Sequence, residues 1–329
     1  MTSKNILIVG TGTIGEPLIG LLSDLKEKLK IKNVFFHKRT PLVDEIAKVN
    51  SLLKRGAKLV TYGGDVGESF EALGHTVTAD LPTALRMADV VIDCTPAGNA
   101  NKEEFYLPLS EGRYCATKNK KRIFIAQGSE KGFGIPYAYG INDEVLEDLD
   151  TEFIQVVSCN THNICSLIKT IAGEDPQNLV RGDFTCIRRA NDISQEGSFI
   201  PSPEIGKHSN NMFGTHHAKD AYDVFATLYQ HPDIYSSALK VNTQYMHIIR
   251  FNLEIKAFAN TEDIIARFEE NKFAALTHKK AANRVFSFGR DHGYYGRIFN
   301  HTVVATDSLA TQSRYGNTQI TGFCFTPQD

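Results

Sequence analysis

The sequence predicts an α/β protein in two parts, a parallel layer of alternating strands and helices followed by a mixed, partly antiparallel layer. Three observations carry that prediction. Short apolar runs at 5–10, 33–36, 89–93, 122–126 and 153–157 alternate with helix-like spacing, as strands of a parallel sheet do. Beyond about residue 180 the strand-like runs lengthen and partly alternate while helical signals thin out, which predicts a mixed sheet covered by helices on one face. The length, 329 residues, suits two domains of ordinary size. We expect the boundary near the end of the run at 153–157, giving domains 1–157 and 158–329, with the C-terminal tail open to either.

The first strand, 5–10 (NILIVG), ends in glycine and is followed by a helix expected over 13–30. There Ile14, Leu18, Leu21, Leu22, Leu25 and Leu29 recur every three or four residues. The run NVFF at 33–36 reads as the second strand. The helix over 42–54 carries Val43, Ile46, Ala47, Val49 and Leu53 near one face. In the second half, strands are expected at 182–190, 245–256, 284–288 and 298–306, and helices at 160–172, 218–229 and 261–271. The polar, Gly- and Pro-rich stretch 191–217 is longer than most inert loops and reads as functional.

Composition excludes several classes. A hydrophobic content of 42% supports a sizeable core, and a net charge of −2 gives no global field for nucleic acid or anionic membranes. The densest basic run, Lys118 to Arg122, reads as a solvated loop. No apolar stretch reaches the ~18 residues of a membrane span, and no secretory leader is expected. Six cysteines without a C-x-x-C pair resemble neither a disulfide framework nor a zinc site, so no metal and a reducing cytoplasm are expected.

Gly10-Thr11-Gly12-Thr13-Ile14-Gly15 matches G-x-G-x-x-G between a strand and a helix, the context in which that motif binds a dinucleotide. Gly10 allows the tight turn, Gly12 the approach of a pyrophosphate, and Gly15 close helix–strand packing, with the helix N-terminus offering its N–H groups to phosphate. The N-terminal domain is therefore expected to be a Rossmann domain. After the second strand the chain reads Lys38-Arg39-Thr40, two cations and a hydroxyl with no carboxylate. Such groups suit a 2′-phosphate, so NADP is favoured and NAD also accepted. Cys94-Thr95-Pro96-Ala97-Gly98 follows a buried strand, and Thr95 and Pro96 are expected to line the nicotinamide side, as is Gly128 after the run 122–126. Cys94 itself reads as a packed small side chain.

Cys159 follows the strand-like run at 153–157 and precedes a helix-like segment. A cysteine at a helix N-terminus is biased toward thiolate, the nucleophilic form. Its attack on an aldehyde gives a hemithioacetal, and hydride loss gives a thioester that a second nucleophile releases.

Val157-Ser158-Cys159-Asn160-Thr161 resembles the active-site signature of the archaeal-type (type II) phosphorylating glyceraldehyde-3-phosphate dehydrogenases. Lys38-Arg39-Thr40-Pro41 resembles that family's cofactor-selecting turn, and Asp93-Cys94-Thr95-Pro96 its nicotinamide-side turn. Arg188-Arg189 and His216-His217 resemble its phosphate-handling region, and Met246-His247 the segment that carries its catalytic histidine. The resemblance implies Cys159 as nucleophile, His247 as base and Asn160 as an oxyanion partner. It implies Thr161, Arg188, Arg189, His216 and His217 as contacts for a phosphorylated aldehyde and inorganic phosphate, and a homotetramer as the assembly; His162 is a further candidate, open to contacting substrate, tuning Cys159 or filling space. His162 stands where the family has a small or hydroxyl residue, and Asp192-Ile193 where it has Asp-Pro. Two other functions fit the same residues: an acyl-phosphate reductase of the semialdehyde dehydrogenase kind, and a non-catalytic NADPH-binding redox sensor using Cys159.

Overall fold

The computed structural model describes residues 3–326 apart from 113–120, 129, 149, 174, 192–196, 198 and 286–301. Its chain divides into two units, Met1–Ile135 with Asp148–Val156, and Pro136–Glu147 with Val157–Asp329.

In the first unit the apolar runs become parallel strands because both sheet faces are covered, which demands hydrophobic residues on each. In order come β1 (Lys4–Val9), α1 (Gly15–Asp24), β2 (Ile31–His37), α2 (Ile46–Lys54), β3 (Lys58–Thr61), α3 (Gly64–Ala72) and β4 (Val77–Asp80). They are followed by α4 (Leu81–Met87), β5 (Val90–Asp93), α5 (Gly98–Asn101), α6 (Leu107–Ser110), β6 (Ile123–Gln127), β7 (Ile135–Tyr137) and β8 (Phe153–Val156). The strand order is β4-β3-β2-β1-β5-β6-β8-β7. Ile8, Ile19, Phe36 and Leu59 fill one side of the sheet, and Leu7, Phe35, Val91 and Phe124 the other. The chain runs outward from β1 to β4 and then returns to β1's other flank at β5. The order therefore reverses between β1 and β5, the switch point at which such sheets bind ligands beyond the strands' carboxyl ends.

The second unit begins with α7 (Cys159–Ala172), β9 (Leu179–Arg188), β10 (Glu204–Ile205), α8 (His216–Ala226), β11 (Ile234–Lys240) and β12 (His247–Ile255). It continues through α9 (Thr261–Glu270), β13 (Ala274–Thr277), α10 (Ala282–Val285), β14 (Thr302–Ala305), β15 (Ala310–Arg314) and β16 (Asn317–Thr326). Its sheet, in the order β10-β11-β9-β12-β16-β14-β13, mixes parallel and antiparallel pairs. Phe184, Cys186, Ile249, Phe251 and Leu253 alternate along β9 and β12 on the face against which α7 packs Ile164, Leu167, Ile168 and Ile171. Burial of each large side chain contributes about 1.5–3 kcal/mol. The helix stops at Gly173, whose φ of +84° lies in the left-handed region.

The α/β architecture with its Rossmann-like first sheet and mixed second sheet is as expected; several boundaries are not. The helix over 13–30 ends at Asp24, and Leu25 and Leu29 are exposed in the turns that follow. Within the run Lys118–Arg122, residues 118–120 lie outside the described residues. Arg122 is buried rather than solvated, donating from Nη2 to Arg86 O at 3.2 Å. Of the strand expected at 284–288, Arg284 and Val285 close α10 and the rest lies outside the described residues. Residues 298–301 of the last expected strand are likewise outside, while 302–305 form β14. The segment 136–147 groups with the second unit. Asn142 fastens it there, accepting from Ala138 N at 2.9 Å and donating to Pro136 O and Thr227 Oγ1, each at 2.9 Å.

Candidate active site

In the first unit the glycine turn joins β1 to α1. Gly10 has φ +98°, and a Cβ there would lie 3.0 Å from Thr95 Cγ2. A Cβ on Gly15 would lie 2.1 Å from Gly10 O, so any larger residue would drive the helix off the strand. At Gly12 a Cβ would meet nothing within 4 Å. The protein's own packing does not require glycine there, and the space left over fits an approaching pyrophosphate. α1 opens at Ile14, whose side chain cannot cap it, a helix start of the kind that offers its N–H groups to phosphate.

Beside this turn, Asp93 at the end of β5 is buried. It accepts from Thr95 N at 2.9 Å, Thr95 Oγ1 at 2.6 Å, Asn101 Nδ2 at 2.8 Å and Tyr106 Oη at 2.6 Å. It holds the turn in place while Pro96 stays exposed. Burial pushes the neighbouring Cys94 thiol up to about 12, helped by Asp93, in keeping with a packed side chain. Gly128 has φ +77° and donates to Val156 O at 3.0 Å, turning the chain after β6.

At the end of β2, Arg39 and Thr40 are exposed and Lys38 is buried. The expectation that no carboxylate is available here is corrected: Glu45, just ahead of α2, pairs with Lys38 and also with Lys48. Nothing in the run Lys38-Arg39-Thr40 signals a partner seven residues on, although a buried ammonium demands one. His37 Nε2 is buried without a hydrogen-bond partner. Burial lowers the imidazole to about 4, with Asp93 opposing and Arg39 adding, so the ring is neutral near pH 7. The open space at Gly12, the uncapped α1 and this orphaned ring nitrogen together fit a dinucleotide. Gly10 to Gly15, with His37 and Lys38, would hold it.

In the second unit Cys159 opens α7 and is part-exposed rather than sealed. Ser158 is the N-cap; its Oγ accepts from Thr161 N at 3.4 Å and lies 2.9 Å from Thr161 Oγ1, so the buried Thr161 hydroxyl is engaged in the cap. The fourteen-residue helix directs its positive end at the cysteine.

Sheet register brings the partners. His247 pairs with Thr326, and Ile248 with Ile187, so the next step along β9 sets Arg188 opposite His247. Arg188, His247 and Thr326 thus end three neighbouring strands on the face that continues Cys186 and Ile249 toward α7. The Asn160 amide meets His247 Nδ1 at 2.9 Å, and Thr326 Oγ1 donates to Asn160 Oδ1 at 3.3 Å. Asn163 Nδ2 donates to Thr326 Oγ1, and Thr302 Oγ1 donates to Asn163 Oδ1 at 2.8 Å. Asn160, next to Cys159, is therefore bonded to the imidazole, and three further side chains brace that bond. Sequence reading missed Thr326, Asn163 and Thr302, because only the packing of α7 on the strand ends brings them together. Burial raises Cys186 to about 12; Cys159 adds to the shift and Arg188 opposes it, which puts both within electrostatic reach of this inert thiol.

Arg189 is buried. His216 and His217 stack at 4.0 Å in the first turn of α8, where Thr215 Oγ1 lies 3.1 Å from His217 Nδ1 and 2.7 Å from Ser236 Oγ. His162 Nε2 lies 2.9 Å from Tyr139 O, and burial lowers its pKa while that hydrogen bond opposes the shift. His162 faces a cavity of about 620 Å³ with Tyr139, Ser166 and Lys169. Among the described residues no group of His, Cys, Asp and Glu could hold a metal ion, and no helix is long and apolar enough to cross a membrane.

No family model matches the chain. It is similar to glyceraldehyde-3-phosphate dehydrogenase of Sulfolobus acidocaldarius, 26% identical over 322 residues, covering 94% of this chain and 84% of that protein. The same name belongs to a Sulfurisphaera tokodaii protein 26% identical over 321 residues, with the same coverage. Glyceraldehyde-3-phosphate dehydrogenase 1 of Methanosarcina acetivorans is 30% identical over 267 residues, covering 80% of this chain and 71% of its own. With a helix-opening cysteine tied through its neighbour to a buried histidine, and with this likeness along most of its length, the chain belongs to the archaeal glyceraldehyde-3-phosphate dehydrogenase family.

Proposed function

We propose that the protein oxidises D-glyceraldehyde 3-phosphate with NAD(P)+ and inorganic phosphate to 1,3-bisphosphoglycerate, reversibly. It would do so in a reducing cytoplasm, as a homotetramer like the family it resembles. NADP is the favoured dinucleotide, on Arg39 and Thr40 exposed after β2, with NAD also accepted. The observation that carries this reading is the Asn160–His247 bond beside Cys159.

Each chain group has a task. Cys159 Sγ attacks the aldehyde carbon, and His247 takes the thiol proton, so the product is a neutral hemithioacetal once the alkoxide is protonated. Asn160 Nδ2, 2.9 Å from His247 Nδ1, orients the ring for this role while its Oδ1 is held by Thr326. When bound, the nicotinamide supplies the hydride acceptor. As the hydride leaves the former aldehyde carbon, His247 removes the hydroxyl proton and a thioester on Cys159 remains. Phosphate oxygen attacks the thioester carbon, the C–S bond breaks, and Cys159 leaves as thiolate with the acyl phosphate released. Arg188, Arg189, His216 and His217 are the candidates for the two phosphate groups, with Thr161 and His162 as further ones.

The test is absorbance at 340 nm with the purified protein, glyceraldehyde 3-phosphate and NADP, with and without phosphate. We expect phosphate-dependent reduction, and a loss of about a thousandfold or more in Cys159→Ser. Reduction that proceeds equally well without phosphate would overturn the phosphorylating reaction, and an active Cys159→Ser the nucleophile.

A further inference from the structure

Lys38 ends its run as a buried cation, and its ammonium and that of Lys48 converge on the single carboxylate of Glu45. Lys38 is 6% exposed and Glu45 22%, so this is not a solvated surface pair. Lys48 Nζ also donates to Thr11 O at 3.4 Å, which brings the second ammonium onto the glycine turn, and it approaches Glu16 at 3.9 Å. Burial pushes the Glu45 carboxyl up, but hydrogen bonds and charge from Lys38 and Lys48 outweigh it and hold the group ionised below its usual range. Arg39 stands exposed next to Lys38.

We infer that Glu45 sets how strongly this protein distinguishes 2′-phosphorylated from unphosphorylated dinucleotides, by occupying the two ammoniums that a 2′-phosphate would need. The inference rests on the dinucleotide reading of the glycine turn. A phosphate dianion arriving at the end of β2 must draw Lys38, Lys48 or both away from Glu45 and must meet the negative charge of Glu45 itself. Both costs fall on NADP alone. An unphosphorylated ribose brings only a hydroxyl, which needs an acceptor, and the ionised Glu45 offers one without surrendering its lysines. Lys48 also ties α2 to the glycine turn through Thr11 O, although no motif marks it. A purely structural bridge would neutralise the buried Lys38 and affect both dinucleotides equally.

The test is fluorescence titration of the purified protein with NADPH and with NADH at one ionic strength, for wild type, Glu45→Gln and Lys48→Met. Glutamine keeps an acceptor for Lys38 and removes the charge. We expect Glu45→Gln to shift the ratio of the two Kd values toward NADPH by about tenfold, and Lys48→Met to shift it toward NADH by a similar factor. Equal changes for both dinucleotides, or ratios within about twofold of wild type in both variants, would overturn the inference. Should Glu45→Gln not fold, Lys48→Met decides alone. Wild-type protein that binds NADH and NADPH with unmoved variant ratios sinks only the role of Glu45; wild-type protein that binds neither removes the dinucleotide reading together with this one.

Discussion

Asn160 is the residue on which the proposed base depends. Its amide bond to His247 orients the ring, and its other end is braced by Thr326. Asn160→Ala should lower kcat by about tenfold to a hundredfold with little change in KM, because the nucleophile and its helix stay in place. Asn160→Asp puts a carboxylate against the imidazole and raises its pKa, so the acid limb of the kcat/KM profile should move to higher pH. A limb that stays put would show that the amide does not govern the histidine. The same scale holds a stability effect. His37 is lowered from 6.5 to about 4 by burial, so the unfolded chain binds the proton more readily than the folded one. Stability is full above the unfolded value, falls as pH drops from about 6.5 to about 4, and is then lower by ~3 kcal/mol. Denaturant melts of wild type and His37→Gln between pH 7 and pH 4 check this; the variant should lose that part of the slope. The signature around Cys159 and the segment of His247 were legible in the sequence because each is local. Glu45 on Lys38 and Thr326 on Asn160 were not, because a side chain's partner is chosen by packing at a distance.

Elements were legible where a strand or helix is strongly patterned. The glycine motif shows how far that goes, since one sequence pattern contains two different requirements. Gly15→Ala places a methyl group 2.1 Å from a backbone oxygen and should destabilise the first unit by about 3 kcal/mol. Gly12→Ala meets no protein atom, so thermal unfolding should stay within about 2 °C of wild type while NADPH affinity falls about tenfold or more. A Gly12→Ala protein that binds NADPH normally would remove the pyrophosphate from that space. Elements with weak patterns were missed. β3 is four residues long, and β11 (IYSSALK) carries Ser236 toward α8, where its Oγ accepts from Ala218 N at 3.0 Å. The leucines of 25–29 carry helical spacing with no face to cover, so period alone overstated α1.

At the scale of the whole chain, the two layer types follow from the change of pattern near residue 180, but their membership does not. Residues 136–147 precede β8 of the first unit yet pack in the second, and no composition shift announces it. Asn142, fully buried with three hydrogen bonds, carries that assignment. Asn142→Ala should cost about 3 kcal/mol by leaving Ala138 N and Thr227 Oγ1 short of partners. Chemical denaturation followed by near-UV signals would check it, and a change below about 1 kcal/mol would remove the residue from that role.

The last strand to leave the ribosome among those described is β16, and it lies between β12 and β14 in the middle of the second sheet. Until it is inserted, nothing at Thr326 steadies the amide that aims the imidazole. On the proposed mechanism, a nascent chain that has not yet placed β16 lacks Thr326 on Asn160, and Cys159 gains its oriented imidazole only when the sheet closes.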